Sequence, residues 1–146
     1  MSDKTILGSS VPFMYSCDIL LEKMKSSTNP KDLSLVVSIA VNAAFACELL
    51  FKSILENKVK GHNLDNLFKM LEPTIQTEIR ILVEKDMIKK NINYSDSDFS
   101  SNLYKNRNTF LQWRYFYEGN TEKLNFQFLL SLMNSLFNVA KKNLKN

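Results

Sequence analysis

The side chains best suited to chemistry are concentrated in one stretch, YKNRNTFLQWRYFYEGN, at residues 104–120. It holds six of the sixteen aromatic residues, the only tryptophan, Trp113, and two arginines, Arg107 and Arg114, seven positions apart. Aromatic rings interleaved with cations can stack on nucleobases and hold phosphates. The same composition is also typical of a core helix whose arginines reach along apolar surface to solvent. Both interpretations stay open on this stretch alone.

If the stretch is one helix, its two arginines share a face with apolar residues. The residues of that face are four, three, four and three positions apart in sequence, which places them on the same side of a helix. Arginines that point inward would need carboxylates or aromatic faces as partners. The predicted face consists of Leu103, Arg107, Phe110, Arg114 and Tyr117, and the candidate binding residues are Arg107, Asn108, Trp113, Arg114 and Tyr117.

Glu48 stands out elsewhere in the chain because it lies in an alanine-rich, apolar segment. One interpretation is an exposed pair with Lys52, one helical turn later, which stabilises a helix by only ~0.3–0.5 kcal/mol. The other is a buried acid that orients an arginine from another helix, since a carboxylate is rarely buried without a partner. The residues leave both open. Glu48 is therefore a candidate catalytic residue.

His62 is the only histidine and the natural candidate for proton transfer near neutral pH. It lies in a Gly-His-Asn sequence that is typical of a turn. We predict a structural role for it, either in binding a helix end or in solvent.

Several classes of site are excluded by what the sequence lacks. Cys17 and Cys47 are 30 residues apart, no CxxC occurs, and a single histidine is present, which argues against a zinc site and against Cys-His catalysis. Nucleotide-fold, zinc-peptidase and hydrolase motifs are missing as well. We expect no metal and no cofactor. The net charge of +4 is compatible with a polyanionic ligand without requiring one.

The elements that must position these residues are predicted to be helices. Only three glycines and three prolines occur, and strands would need turns more often. We predict a single domain over residues 1–146, with its core at about 12–143, folded as an all-α, up-down bundle of five to six helices. No run of about 18 apolar residues and no signal sequence is present, so a cytoplasmic protein without membrane contact is expected.

Helix limits are predicted from periodicity and from glycine and proline. Apolar residues at helical spacing predict a first helix over 12–25 and a second that begins near Leu33, runs for more than twenty residues and stops at Gly61. A short helix follows within 61–71, another begins at Pro73, and Ser95 or Asp96 is the predicted N-cap of the next. That next helix contains the aromatic stretch and ends near Gly119. The last begins after Thr121 and buries Phe126, Leu129, Met133, Leu136 and Ala140.

Three segments, in this order, resemble the HEPN superfamily (higher eukaryotes and prokaryotes nucleotide-binding): SIAVNAAFACELLFKSIL, GHNLDNLFKML and YKNRNTFLQWRYFYE. The chain is similar in particular to small bacterial members that carry a Gly-His-(Asp/Asn)-Leu turn and an aromatic WRY-type segment. The resemblance covers roughly residues 12–140. It implies an α-helical bundle that forms a homodimer. Many members of the superfamily are metal-independent ribonucleases of toxin–antitoxin, abortive-infection or CRISPR-type defence systems.

The ribonuclease signature of that superfamily is only half present. It consists of an arginine followed by a polar residue, with four to six residues between the arginine and a closing histidine. Arg107 and Asn108 match the first half, but the closing position falls at Gln112, Trp113 or Arg114. None of these supplies the proton transfer of the missing histidine, and an arginine that is always protonated cannot act as a base.

The resemblance and this departure leave three alternatives. The first, which we favour, is a HEPN-like dimer that binds RNA, a nucleotide or an antitoxin-like protein partner in a bacterial defence system without cutting RNA. The second is a divergent metal-independent ribonuclease that uses Arg107 and Arg114, with Glu48 as a further candidate. The third is a structural dimerisation scaffold.

Overall fold

The computed structural model describes residues 3–56, 59–109 and 126–144. Within these ranges the chain forms six α-helices, one short 3-10 helix and no strand. The all-α helical bundle predicted from the sequence is thereby confirmed for the described part of the chain. The elements are α1 (Asp3–Ser26), the 3-10 helix (Pro30–Ser34), α2 (Leu35–Leu55), α3 (Leu64–Lys69), α4 (Pro73–Lys89), α5 (Asp96–Lys105) and α6 (Phe126–Leu144).

Helix α2 is the centre of the bundle. It packs along α1 on one side and along α6 on another, while α4 packs on α6 and α3 contacts both α2 and α5. Small residues in its middle, Ala40, Ala43 and Ala44, are almost completely buried, which lets the neighbouring helices approach closely. The predicted buried stripe of α6 is also present, with Leu129, Met133, Leu136 and Ala140 inside and Phe126 partly buried.

Four phenylalanines from four different helices connect the elements at the core. Phe51 of α2, Phe68 of α3, Phe99 of α5 and Phe128 of α6 form a continuous row with ring centroids 6.4, 5.0 and 5.6 Å apart. These edge-on and tilted contacts are the favourable arrangements for aromatic pairs. Arg80 of α4 lies over two of the rings, 4.7 Å from the centroid of Phe99 and 5.4 Å from that of Phe68. The row therefore joins the short helices to the main bundle.

The first helix is longer than predicted. It begins at Asp3 instead of Pro12, and Pro12 lies inside it. A proline within a helix removes a backbone hydrogen bond and costs ~3 kcal/mol. The helix continues through it because Leu7 packs against the core and Ser10 is fully buried, with its hydroxyl donating to the carbonyl of Leu7 at 2.6 Å.

The second helix ends earlier than predicted. Leu33 belongs to the 3-10 helix, and α2 stops at Leu55, where Glu56 adopts a left-handed conformation with φ of 56°. The predicted stop at Gly61 is therefore wrong. Gly61 does have a positive φ, 114°, but it lies in the connection to α3. Glycine is the residue type that favours a left-handed conformation, but at the end of α2 this conformation belongs to Glu56.

The predicted starts of the next helices are confirmed. Pro73 is the first residue of α4. Ser95 is the N-cap of α5 and forms a capping box with Asp98, whose carboxylate accepts from the Ser95 backbone N–H at 2.8 Å.

Within the described residues, one segment, Pro30–Leu55, is long and apolar enough for a membrane span, with a mean hydropathy of 2.0 over an 18-residue window. It comprises the 3-10 helix and α2, the central helix of the bundle, and a core helix of a soluble protein meets the same criteria. Length and composition alone are weak evidence for a span.

Candidate functional site

The segment after α5 is a turn, which corrects the predicted continuous helix. Helix α5 ends at Lys105, and residues 106–108 form a turn. Asn106 is buried; its side-chain amide donates to the Asn102 carbonyl at 2.8 Å, and the Thr109 hydroxyl donates to the Asn106 carbonyl at 3.0 Å. Such polar side chains compete with the helix for backbone groups. Leu103 and Arg107 therefore do not share the face of one helix.

Arg107 folds back onto the end of α5. Its guanidinium donates to the carbonyl of Tyr104 at 2.6 Å, and its central carbon lies 3.8 Å from the centroid of the Tyr104 ring. Tyr104 is 56% exposed, so this cation–π contact lies at the surface. Arg107 is thus placed at the edge of the bundle, outside the core. The neighbouring candidate, Asn108, is partly exposed.

Glu48 is buried and accepts two hydrogen bonds through the same oxygen. Its side chain is only 4% exposed, and Oε1 lies 2.8 Å from Lys52 Nζ and 2.8 Å from His62 Nδ1. The other oxygen, Oε2, is buried and has no hydrogen-bond partner within the described structure. Lys52 is 19% exposed at its side chain and His62 51%. We call these three residues, Glu48, Lys52 and His62, the Glu48 cluster.

The two interpretations of Glu48 each prove partly right. Glu48 is buried, as the second proposed, and pairs with Lys52 one turn later, as the first proposed. No arginine of the described chain forms an ion pair with it, and its second partner is His62. His62 does not bind a helix end, since its Nδ1 is directed to a side chain of α2. The sequence carried no signal for this contact, because the pair is separated by 14 residues and by a connection of unpredicted geometry.

The turn that carries His62 is fixed by its neighbours. Gly61 provides the positive φ, and Asn63 caps α3 by accepting from the Asn66 N–H at 3.1 Å. The backbone N–H of Leu64 donates to the carbonyl of Arg107 at 3.0 Å. This hydrogen bond joins the turn of His62 to the turn of Arg107. The chain just after His62 is therefore adjacent to the Arg107 turn, although the two lie far apart in sequence.

The acidic and basic groups of this region lie at different depths from the surface. The carboxylate of Glu48 is inside, while Lys52, His62 and Arg107 are more exposed. A buried carboxylate retains its charge only when it is paired, and here it holds two basic side chains at the surface. Among these four side chains, the three basic ones are therefore the outer ones. Such an arrangement suits an anionic ligand.

Neither the remaining candidate residues, nor a metal-binding group, nor a surface cavity on α1 adds a described side chain to this region. Arg114, Trp113 and Tyr117 lie outside the described residues. Within the described ranges, no group of three or more His, Cys, Asp or Glu side chains is placed to hold a metal ion. A surface cavity of about 520 Å³ lies along the end of α1 and is lined by Asp18, Leu21, Glu22, Lys25 and Ser26. It contains none of the candidate site residues.

Comparison with known proteins gave no match to a family model, to a curated protein or to a solved structure.

Proposed function

We propose that the chain is a HEPN-like helical module that binds RNA or a nucleotide, acts as a homodimer in a bacterial defence or toxin–antitoxin type system, and does not cleave RNA. The family and the biological setting come from the sequence resemblance described above. The binding function has a separate support in the surface where the Glu48 cluster meets the Arg107 turn.

The observation that carries this proposal is the hydrogen bond from the Leu64 N–H to the Arg107 carbonyl. It places the backbone of Leu64, two residues after His62, next to the turn of Arg107, and His62 shares the Glu48 carboxylate with Lys52. Phosphate contacts supply most of the affinity of sequence-independent nucleic-acid binding. The exposed Tyr104 ring, on which Arg107 stacks, adds an aromatic face next to these cations.

Cleavage is not part of the proposal. The superfamily mechanism needs a histidine that closes the motif begun by Arg107, and the sequence has none at that position. Arg107 itself is engaged by Tyr104 through a hydrogen bond and ring stacking. An arginine can stabilise developing charge on a phosphate but cannot accept the proton of the attacking hydroxyl.

The proposal is tested with a fluorescein-labelled single-stranded RNA of 20 nucleotides, followed by fluorescence anisotropy at several salt concentrations. We expect binding that weakens as salt rises, because phosphate contacts release counterions. Arg107→Ala should weaken binding by roughly tenfold, the usual effect of losing a charged hydrogen bond. Lys142→Ala is the matched control, since it removes an exposed cation of α6 that pairs with Glu78 at 3.0 Å.

The same RNA also decides between binding and cutting. It should remain full length on a denaturing gel after incubation with tag-free protein at several pH values. Cleavage that Arg107→Ala abolishes would establish the divergent ribonuclease instead. An anisotropy that stays unchanged at every salt concentration would reject RNA binding.

A further inference from the structure

The internal contacts of the Glu48 cluster engage only one of the two ring nitrogens of His62. The Nδ1 atom of His62 is turned to the buried carboxylate at 2.8 Å, yet half of the histidine side chain is exposed. The contact through Nδ1 leaves Nε2, on the far side of the ring, without a partner inside the cluster. A histidine held through one nitrogen by a carboxylate has a fixed orientation and offers the other nitrogen to a partner.

An ionised carboxylate only accepts hydrogen bonds, so the contact with Glu48 assigns a proton to Nδ1 of His62. An imidazolium donates from both nitrogens, and donation of Nδ1–H to Glu48 leaves Nε2–H directed outward. Lys52 shares the same carboxylate oxygen at 2.8 Å and adds a second positive charge. When Lys52 and His62 both carry a proton, the three side chains have a net charge of +1. The carboxylate of Glu48 is the most buried of the three. An anion that arrives from solvent meets donors first.

The position of the cluster indicates which anion it suits. The His62 turn is joined to the Arg107 turn by the Leu64–Arg107 backbone hydrogen bond. A ligand with successive or branching phosphoryl oxygens could contact both turns, and Arg107 contributes a further cation there. Phosphoryl groups match charged nitrogen donors in this way, with short, charge-assisted hydrogen bonds.

We infer that His62 is a phosphate-binding residue, positioned by Glu48, whose Nε2–H donates to a phosphoryl oxygen of an RNA backbone or of a free nucleotide. This inference rests on the proposed function, because it names the contact by which that surface holds its ligand. Glu48 is a positioning residue: it touches His62 and Lys52, and the ligand contacts them.

The test uses the fact that His62 is the only histidine of the chain. In tag-free protein, its ring carbon-bound protons give a unique pair of NMR signals. Titration with single-stranded RNA, with adenosine monophosphate and with inorganic phosphate should move these signals in a saturable way. A shift with RNA alone identifies the polymer backbone as the source of the phosphate, and a shift with the nucleotide identifies the free ligand.

Binding measurements then separate a ligand contact from a structural role. His62→Ala should weaken the binding of the ligand that moved the ring signals by roughly tenfold. With RNA it should also reduce the slope of log affinity against log salt by about 0.7, the value of one phosphate contact on a single strand. Lys142→Ala serves as the control for the loss of one exposed cation. Thermal melting checks that both variants are folded.

For Glu48 the readout is the His62 ring itself. Glu48→Gln keeps a hydrogen-bond acceptor but removes the charge, so the midpoint of the ligand-induced shift of the His62 signals should move to higher ligand concentration. If that midpoint is unchanged, Glu48 does not position His62 for binding.

Two results would overturn the inference. The first leaves the proposed function intact, and the second also rejects the proposed function. If RNA binds but neither moves the His62 signals nor distinguishes His62→Ala from the native protein, the phosphate contact lies elsewhere and the proposed function survives. If RNA, nucleotide and inorganic phosphate all leave the ring signals unmoved and no binding is seen by anisotropy, the inference and the proposed function fail together.

Discussion

At the scale of single residues, the two cysteines illustrate how burial determines reactivity. Cys17 and Cys47 are fully buried and donate to backbone carbonyls, those of Ile39 at 3.5 Å and Leu129 at 3.8 Å. Burial raises the pKa of Cys17 to about 12 and also raises the pKa of Cys47. Since the thiolate is the reactive form, both side chains act as small apolar residues of the core.

We therefore expect neither thiol to react with a disulfide reagent such as dithionitrobenzoate at pH 8 in the folded protein. Both should react at once in concentrated guanidinium chloride, which removes the burial that raises their pKa values. Absorbance of the released thiolate measures the number of reacted groups. Rapid reaction of one group before unfolding would show that its helix pair opens in the native state.

Asp86 on α4 is a carboxylate whose charged form the fold stabilises. Burial alone would raise its pKa, but the Ser131 hydroxyl of α6 and the Lys90 ammonium, 3.0 Å away, bring the pKa below its ordinary value of 3.8. A carboxyl with a lowered pKa in the folded state adds stability above its ordinary pKa. That contribution is lost as the pH falls through the folded value.

For Asp86→Asn we expect a loss of up to about 1 kcal/mol in the free energy of unfolding at pH 7, because the side chain is partly exposed and its interactions are screened. The difference from the native protein should shrink as the pH falls below about 3.8 and disappear at the lowest pH where the protein still folds. Urea denaturation at a series of pH values measures it. An equal loss at all pH values would show that packing, not charge, is responsible.

At the scale of the helices, the row of four phenylalanines is where the short elements gain their stability. Helix α3 has six residues and α5 has ten, lengths at which an isolated helix is marginal in water. Each contributes one ring to the row, Phe68 and Phe99, and Arg80 covers both rings from α4. Packing therefore stabilises these two helices. It also stabilises the His62 turn, which precedes α3, and the Arg107 turn, which follows α5.

Phe99→Ala should lower the free energy of unfolding by ~3–5 kcal/mol, the usual cost of removing a buried aromatic ring. The same replacement at Tyr104, on the same helix but 56% exposed, should cost less than about 1 kcal/mol, since only the surface contact with Arg107 is lost. Denaturant titration of both variants gives the comparison. Similar losses for the two would contradict the assignment of the core to the Phe99 side of α5.

The helices also show which features a sequence can predict. Apolar periodicity predicts α2 and α6, and for α6 also its buried face, because the spacing of large side chains follows directly from helix geometry. Helix limits that depend on competing local effects are harder to predict. Pro12 favours a helix start at its position, whereas packing of Leu7 carries α1 through it, and the left-handed residue after α2 is Glu56 and not Gly61.

The candidate site was predicted less completely than the fold. Residue type alone points to Arg107, Asn108 and Glu48. Of the two side chains that contact Glu48, spacing predicts Lys52, and His62 stands out as the only histidine. The pairing of Glu48 with His62 depends on contacts between α2 and the turn before α3, which no periodicity encodes. The end of α5 depends on hydrogen bonds of Asn106 and Thr109 that replace backbone ones.

At the scale of the whole molecule, α2 serves the core and the site at once. Its alanine-rich face packs on α1 and α6, while Glu48 and Lys52, one turn apart, hold the connection to α3. A disturbance of the core should therefore reach the His62 turn through α2.

Outside the core, α1 exposes three apolar residues spaced by four, Val11, Tyr15 and Ile19, with 47%, 66% and 51% of their surface accessible.

The final prediction concerns the assembly of the chain. The resemblance to a superfamily of dimers leads us to expect a homodimer, and exposed apolar residues at helical spacing are of the kind that dimers bury. Light scattering after gel filtration should give a mass near twice the 16.9 kDa of one chain. The melting temperature should rise with protein concentration, because association stabilises the folded state by mass action. A mass near 16.9 kDa with a constant melting temperature would show that the chain functions as a monomer, and any ligand would then bind within one bundle.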